Sequence, residues 1–150
     1  MKLVEVLDDP KVDSLFIIME FVKNGTLSDK INKGDLSAKD ASRYMRDLLQ
    51  GLFYLHEVAG IVHRDIKPDN LLIDENDVLK ISDFGVSTIM ENGCDELTST
   101  AGSNYFLAPE ATKGASFKGR CSDVWAVGVT LYYLIFKKFP FTSNNIPDLY

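Results

Sequence analysis

The sequence predicts a mixed α+β fold in which helices hold most of the mass. Three observations lead to this fold class. Two short β-prone runs open the chain, apolar residues then recur at helical spacing, and a long apolar run comes near the end. The chain has 150 residues, of which 45% are hydrophobic and 25% charged, so it fits one globular domain or part of a larger one.

The first element is an antiparallel pair of strands. "KLVEV" is short and β-prone, Pro10 and neighbouring acids interrupt it, and the apolar run "LFIIMEFV" follows. The length of this second run and its Ile and Phe content predict a central strand of a sheet. The turn signal "KNG" ends it.

The second element is an amphipathic helix. Ser37, followed by Asp40 three residues later, predicts a capping box at its start, and Gly60 marks its end. The apolar residues that recur at helical spacing are Ala41, Tyr44, Met45, Leu48, Leu49, Leu52 and Leu55.

The remaining elements follow a polar loop. "LLI" and "VLKI" predict two short strands joined by a turn, and a segment rich in Gly, Ser and Thr runs from Asp83 to about Pro109. The apolar run Val124–Phe136 is shorter than the ~18–20 residues needed to span a bilayer. It predicts a helix after Ser122 that is buried on every side.

The composition also excludes several classes of protein. A net charge of −6 argues against a nucleic-acid binder, which usually carries a basic face. Cys94 and Cys121 lack metal-ligand spacing, which indicates free thiols in a reducing compartment. The acidic N-terminal region does not have the pattern of a signal peptide. We expect a cytoplasmic or nuclear protein that binds neither nucleic acid nor membrane.

The stretch "HRDIKPDN" carries the chemistry. Pro68 disfavours a helical conformation at Lys67, and in an extended stretch Asp65 and Lys67 point the same way. Asn70 follows, and a second acid, Asp83, comes eighteen residues after the first. An acid, a cation, an amide and a second acid suit phosphoryl transfer, in which Mg²⁺ needs oxygen ligands. Each residue taken alone is equally typical of a solvated turn.

Four motifs in this order resemble those of the eukaryotic protein kinases: "HRDIKPDN", "DFG", "APE" and "DVWAVGV". Within that family, "VEVLDDP", "HRDIKPDNLLI" and "DVWAVGVTLY" are most similar to the calcium/calmodulin-dependent protein kinase kinases. The resemblance covers essentially all of the chain. It implies a partial kinase-like fold, with small-lobe strands and the hinge in residues 1–22. Residues 23–150 then form the mainly helical large lobe as far as its central helix.

The resemblance implies a role for each residue of the polar set. Asp65 would accept or orient the proton of the substrate hydroxyl, and Lys67 would neutralise the γ-phosphate of ATP. Asn70 and Asp83 would hold Mg²⁺, whereas His63 would be structural. A lysine at position 67 is typical of kinases that act on Ser and Thr.

The resemblance also places the adenine of ATP. Met19 corresponds to the gatekeeper, the segment from Glu20 to Val22 corresponds to the hinge, and Leu72 would pack under the ring. The alternatives are that Met19 and the segment from Glu20 to Val22 are an ordinary strand end and that Leu72 is an ordinary core leucine.

Three further residues belong to the activation segment and its contacts in related kinases. Arg64 would pair with a phosphate on that segment, and Ser99 lies where many kinases carry the phosphate. Ser103 would hydrogen-bond to Asp65 and Lys67. A plain polar loop around Ser99 is the alternative.

Several parts of a kinase have no counterpart in this sequence. These are the Gly-rich loop, the third-strand Lys, the Glu of the regulatory helix and the closing helices of the large lobe. We therefore expect an incomplete domain that is nearly inactive in isolation, its parent being an upstream Ser/Thr kinase in a signalling cascade. The expected ligands are ATP, Mg²⁺ and a protein substrate such as another kinase, with calmodulin acting through regions outside this chain. The alternative is a catalytically dead kinase fragment or pseudokinase that serves as a binding module.

Overall fold

The described residues of the polypeptide fold into short antiparallel strand pairs around three α-helices, which confirms the mixed α+β class. The computed structural model describes residues 3–11, 14–34, 36–143 and 149. In chain order the elements are β1 (Leu3–Asp8), β2 (Leu15–Met19), α1 (Leu27–Lys33), α2 (Ala38–Phe53), β3 (Ile61–Val62), β4 (Leu71–Ile73), β5 (Leu79–Ile81), β6 (Thr88–Ile89), β7 (Glu96–Leu97), β8 (Phe117–Lys118) and α3 (Gly119–Phe136).

The main hydrophobic core lies between the three helices and the β4–β5 hairpin. Leu27 of α1, Leu48 of α2, Leu71 of β4 and Val127 of α3 are all buried in it. A smaller core lies beside β3, β7 and β8, and Trp125 of α3 packs against both. The loop between β3 and β4 is therefore anchored in buried structure at both of its ends.

The predicted amphipathic helix is confirmed, including its start. The Ser37 hydroxyl accepts a hydrogen bond from the Asp40 backbone N–H at 3.1 Å, and the Asp40 carboxylate accepts one from the Ser37 N–H at 3.1 Å. After α2 the helix continues as a π-helical turn, Tyr54–Ala59, and ends at Gly60. Gly60 has φ of 65°, a left-handed conformation in which glycine carries no steric cost.

The short helix α1 was missed by the sequence analysis, although its start carries a readable signal. The Thr26 hydroxyl accepts a hydrogen bond from Asp29 N–H at 3.0 Å, and the Asp29 carboxylate accepts one from Thr26 N–H at 2.8 Å. This is a second capping box with Asp at its last position. Seven residues are too few to show a clear apolar period, so the local indications were this capping box and Gly34, the left-handed glycine that ends the helix.

The first strand pair forms as predicted, but β2 is not a central strand. It pairs antiparallel with β1, with Val6 opposite Ile17 and Leu7 opposite Phe16. Within the part of the chain that the structure describes, these two strands form a sheet of their own and every residue in them is exposed. An apolar run indicates a tendency toward burial, whereas burial itself requires another layer to pack on the sheet.

The predicted last helix forms, but it is not buried on every side. It begins at Gly119, before the expected start after Ser122. A stripe of its surface is exposed, and the stripe consists of Val124, Gly128, Leu131 and Ile135. Because α3 is apolar around most of its circumference, its sequence cannot select which face meets the core. No helix in the described ranges has the length and apolarity that a membrane span requires.

Candidate functional site

The loop between β3 and β4 presents the polar set in an extended conformation. Lys67 has φ of −160° and ψ of 161°, which agrees with the effect expected of the following proline. Pro68–Asn70 then forms a single 3₁₀ turn that leads into β4. The Asn70 side chain is thereby brought back toward the residues that precede the turn.

The Asp65 carboxylate lies at the centre of a hydrogen-bond network. Its Oδ2 accepts from Lys67 Nζ at 2.7 Å and from Asn70 Nδ2 at 2.9 Å, and its Oδ1 accepts from the Ser103 backbone N–H at 3.0 Å. Lys67 Nζ also donates to the Ser103 hydroxyl at 2.7 Å. Four residues that the sequence analysis singled out are thus in direct contact.

These contacts set the charge of Asp65. Burial acts to raise the pKa of its carboxyl, but hydrogen bonds from Lys67, Ser103 and Asn70 together hold that pKa below its ordinary value. The side chain of Asp65 is only 11% exposed. It therefore remains ionised at neutral pH and is held in one orientation.

Backbone contacts place Asp83 at the same end of the β4–β5 hairpin as Asn70. Its neighbour Ser82 donates to the Asn70 carbonyl oxygen from its N–H at 2.9 Å and from its hydroxyl at 2.8 Å. The Asp83 side chain is exposed, and its Oδ1 accepts from Gly85 N–H at 3.2 Å. Among the described residues it makes no hydrogen bond to Asp65 or to the Asn70 side chain.

The chemistry of Asn70 and Asp83 fits a magnesium ion. Asn70 Nδ2 donates to both the Asp65 carbonyl and carboxylate oxygens at 2.9 Å, so its amide oxygen points away from Asp65. An amide oxygen and an exposed carboxylate are oxygen donors of the kind that Mg²⁺ prefers, and Mg²⁺ usually takes most of its other ligands from water and phosphate. No group of three or more His, Cys, Asp or Glu side chains suited to a metal occurs in the described ranges.

The predicted adenine-binding residues lie along the segment that links β2 to α1 and along β4. Met19 is the last residue of β2 and is 47% exposed. Glu20 and Val22 line a cleft whose other wall comes from the β4–β5 hairpin, including Lys80. Leu72 is partly buried and forms an isolated β-bridge with Thr26. The linking segment is therefore docked beside the strand that carries Leu72.

Arg64 joins the polar loop to the segment that follows β6. Its Nη1 donates to the Thr88 hydroxyl at 3.0 Å, and its Nη2 donates to the Ser99 carbonyl oxygen at 2.6 Å and to the Ser99 hydroxyl at 3.2 Å. Ser99 is exposed. The predicted proximity of the arginine to Ser99 is therefore present.

Asp123 of α3 holds the backbone of the loop in place, a role that was not predicted from the sequence. It is 1% exposed and accepts three hydrogen bonds: from His63 N–H at 2.9 Å, from Arg64 N–H at 2.8 Å and from His56 Nε2 at 2.8 Å. Arg64 has φ of 72°, which is unusual for a residue other than glycine. An acid at the start of a strongly apolar helix was the signal available in the sequence.

His63 is buried and contacts the second motif directly. Its Nε2 lies 3.0 Å from the Ser82 carbonyl oxygen, and its ring meets the Phe84 ring edge-on with 5.1 Å between centroids. The side chain is fully buried, which agrees with the structural role expected for it.

Comparison with known proteins gives one family over nearly the whole chain. The protein kinase domain family matches residues 1–149. Serine/threonine-protein kinase GRIK2 of Arabidopsis thaliana is 40% identical, with 99% of this chain and 37% of the relative covered. A calcium/calmodulin-dependent protein kinase kinase of Caenorhabditis elegans is 45% identical, with 99% and 28% covered. CBL-interacting serine/threonine-protein kinase 24 of A. thaliana is 37% identical, with 99% and 33% covered. The chain thus spans about a third of the length of these relatives.

Proposed function

This chain belongs to the protein kinase family, and from that membership we propose that it carries the catalytic residues of an ATP-dependent Ser/Thr kinase. Residues 1–22 would form the end of the small lobe and the hinge, and residues 23–150 the large lobe as far as its central helix. The observation that carries the proposal is the Asp65 carboxylate, which Lys67, Asn70 and Ser103 hold in a single orientation.

In the proposed reaction a protein Ser or Thr hydroxyl attacks the γ-phosphorus of ATP. A new P–O bond forms while the bond to the bridging oxygen breaks, and ADP leaves. Ionised Asp65 accepts a hydrogen bond from the attacking hydroxyl, orients it and receives its proton. Lys67, which already bonds to Asp65, neutralises charge on the transferred phosphoryl group.

Asn70 and Asp83 are the residues that would hold Mg²⁺. When bound, the ion neutralises phosphate charge and fixes the orientation of the triphosphate. The chain contributes by fixing Asn70: the Ser82 bonds hold its backbone, and Asp65 holds its amide nitrogen. The adenine would lie against the segment Glu20 to Val22, between Met19 and Leu72.

The substrate of the parent enzyme is proposed to be another protein, and an upstream role in a signalling cascade is supported by one relative. The C. elegans protein is named as a kinase that acts on a kinase, and it is 45% identical to this chain. On this proposal Arg64 and Ser99 regulate the activation segment, and Ser103 completes the site around Asp65.

The central test is Asp65→Asn. Asparagine keeps the shape of the side chain but cannot receive the hydroxyl proton. In the full-length parent protein we therefore expect transfer of γ-phosphate from Mg-ATP to Ser/Thr peptides to fall by roughly 10²–10⁴-fold. The thermal shift caused by Mg-ATP should persist. Asp69→Asn changes an exposed acid in the same loop and should leave transfer intact. Equal transfer by Asp65→Asn and the unmodified protein would refute the proposed role.

A second candidate function is a non-catalytic binding module, and the β1–β2 sheet favours it. Apolar side chains on both of its strands are exposed, including Phe16 at 59% and Ile17 at 56%. Surfaces of this kind commonly mark sites of protein association. If the full-length parent protein neither transfers phosphate nor shifts its melting temperature with Mg-ATP, the binding module is the better account.

A further inference from the structure

Among the glycines of the described residues, Gly102 leaves the least room for a side chain, and the atom in the way belongs to the proposed catalytic loop. It has φ of +105°, and a Cβ at this position would lie 2.3 Å from the Arg64 carbonyl oxygen and 3.4 Å from Asp65 Oδ1. A distance of 2.3 Å is far inside the contact that a carbon and an oxygen tolerate. Only glycine therefore allows the segment to lie where it does.

The Arg64 side of this contact cannot easily give way. The Arg64 N–H is bonded to the fully buried Asp123, and the Arg64 backbone is itself in the left-handed region. Its neighbours His63 and Asp65 are also held by hydrogen bonds. A side chain at position 102 would consequently displace the segment that contains it.

The residue after Gly102 depends on this close approach. Ser103 donates its backbone N–H to Asp65 Oδ1 at 3.0 Å, and its hydroxyl accepts from Lys67 Nζ at 2.7 Å. We propose that Gly102 is a positioning residue, whose missing side chain lets Ser103 orient Asp65 and Lys67 for phosphoryl transfer. The inference rests on the proposed kinase function and adds a determinant outside the reacting groups.

Gly102→Ala tests the inference, and the chain supplies a matched control. Gly93 also has positive φ, +74°, but a Cβ built there meets no atom within 4 Å. Both variants place alanine at positive φ, although +105° lies further outside the left-handed region than +74°, and only Gly102→Ala also meets the Arg64 carbonyl oxygen. In the full-length parent protein we expect kcat to fall about 10²-fold in Gly102→Ala with KM for ATP unchanged, because a small displacement of a reacting group has this effect. Gly93→Ala should keep the kcat of the unmodified protein.

A second measurement does not depend on catalysis. Hydrogen exchange of the Ser103 amide, followed by NMR, reports its bond to Asp65 directly. We expect exchange at Ser103 to be about tenfold faster in Gly102→Ala and unchanged in Gly93→Ala. If the full-length parent protein transfers no phosphate, the proposed function fails, and the exchange measurement alone decides the role of Gly102.

The inference is supported if Ser103 exchange is faster and kcat is lower in Gly102→Ala while both are unchanged in Gly93→Ala. Unchanged exchange at Ser103, or equal effects of the two alanines, would overturn it. If Gly102→Ala unfolds the whole chain while Gly93→Ala stays folded, Gly102 is a general folding requirement and the positioning role is likewise overturned.

Discussion

The polar loop around Asp65 and the β1–β2 sheet invert the usual relation between polarity and burial. In the loop, charged and polar groups are withdrawn from solvent: His63 is fully buried, and Asp123 beneath the loop is 1% exposed. In the sheet, apolar side chains such as Phe16 and Ile17 are more than half exposed. The loop groups are buried because each has hydrogen-bond partners, whereas the strands are exposed because no described layer covers them.

The difference shows which of the two regions constrains the arrangement of the chain more strongly. A buried carboxylate with several donors permits only one arrangement of the chain, since every lost bond leaves an unpaired polar group. An exposed apolar strand tolerates many substitutions. Three substitutions along a scale of exposure test this contrast.

The largest effect is expected at Asp123. Asp123→Ala removes the acceptor for His56 and for the backbone N–H groups of His63 and Arg64, and it leaves these groups buried without a partner. We expect the free energy of unfolding to fall by about 3–5 kcal/mol, as when one partner of a buried pair is removed. Urea denaturation measures it. Asp69→Ala, at an exposed acid, should cost less than about 0.5 kcal/mol. Equal losses in the two variants would break the comparison.

An intermediate effect is expected at Asp77, which is 38% exposed in the turn between β4 and β5. Its carboxylate accepts from Tyr44 Oη at 2.6 Å and from Lys30 Nζ at 3.0 Å, and it pairs with Arg43. The Tyr44 hydrogen bond, with help from the two cations, lowers the pKa of Asp77 to about 2. A lowered pKa adds stability above the ordinary pKa of 3.8 that is lost as the pH falls through about 2.

The pH dependence of unfolding measures this contribution. After allowance for screening by solvent, we expect Asp77→Asn to be less stable than the unmodified protein by about 1 kcal/mol at pH 5. The deficit should shrink toward pH 2, where Asp77 itself becomes protonated. Asp69→Asn, at an exposed acid outside this cluster, serves as the control and should be as stable as the unmodified protein at pH 5. A deficit for Asp77→Asn that is constant with pH would exclude the electrostatic origin.

The smallest effect on folding is expected in the exposed sheet. Ile17→Thr keeps a β-branched side chain and should change the free energy of unfolding by less than about 0.5 kcal/mol, because Ile17 is 56% exposed. Self-association, measured by sedimentation, should decrease because exposed apolar strands promote pairing between chains. A loss above about 2 kcal/mol would mean that Ile17 is buried in solution.

The features predicted correctly from local patterns are those set by nearby residues. The long-range contacts of Ser103 with Lys67 and Asp65, and of Arg64 with Ser99, were expected from the family resemblance instead. The capping box of Ser37 and Asp40 spans one helical turn, and the shared direction of Asp65 and Lys67 follows from the proline after them. The α+β class and the β4–β5 hairpin likewise follow from local patterns. Local patterns therefore predicted the part of the proposed catalytic cluster whose residues lie on one loop.

The features that were missed depend on contacts between distant parts of the chain. Asp123 lies about sixty residues from the backbone groups that it binds, and Gly102 matters only because Arg64 passes close to it. The predictions that β2 is a central strand and that α3 is buried on every side were wrong for the same reason. Apolar composition indicates that a face can be buried, but the neighbouring elements determine which face is.

The two exposed thiols have a practical consequence. Cys94 lies in the segment after β6 and Cys121 lies in the first turn of α3, and both are free. They are the two cysteines of the sequence, so spectroscopic probes attached to them report the separation between the segment after β6 and helix α3 without any engineered residue. Movements of that segment can thus be followed in the unaltered polypeptide as nucleotide or peptide is added.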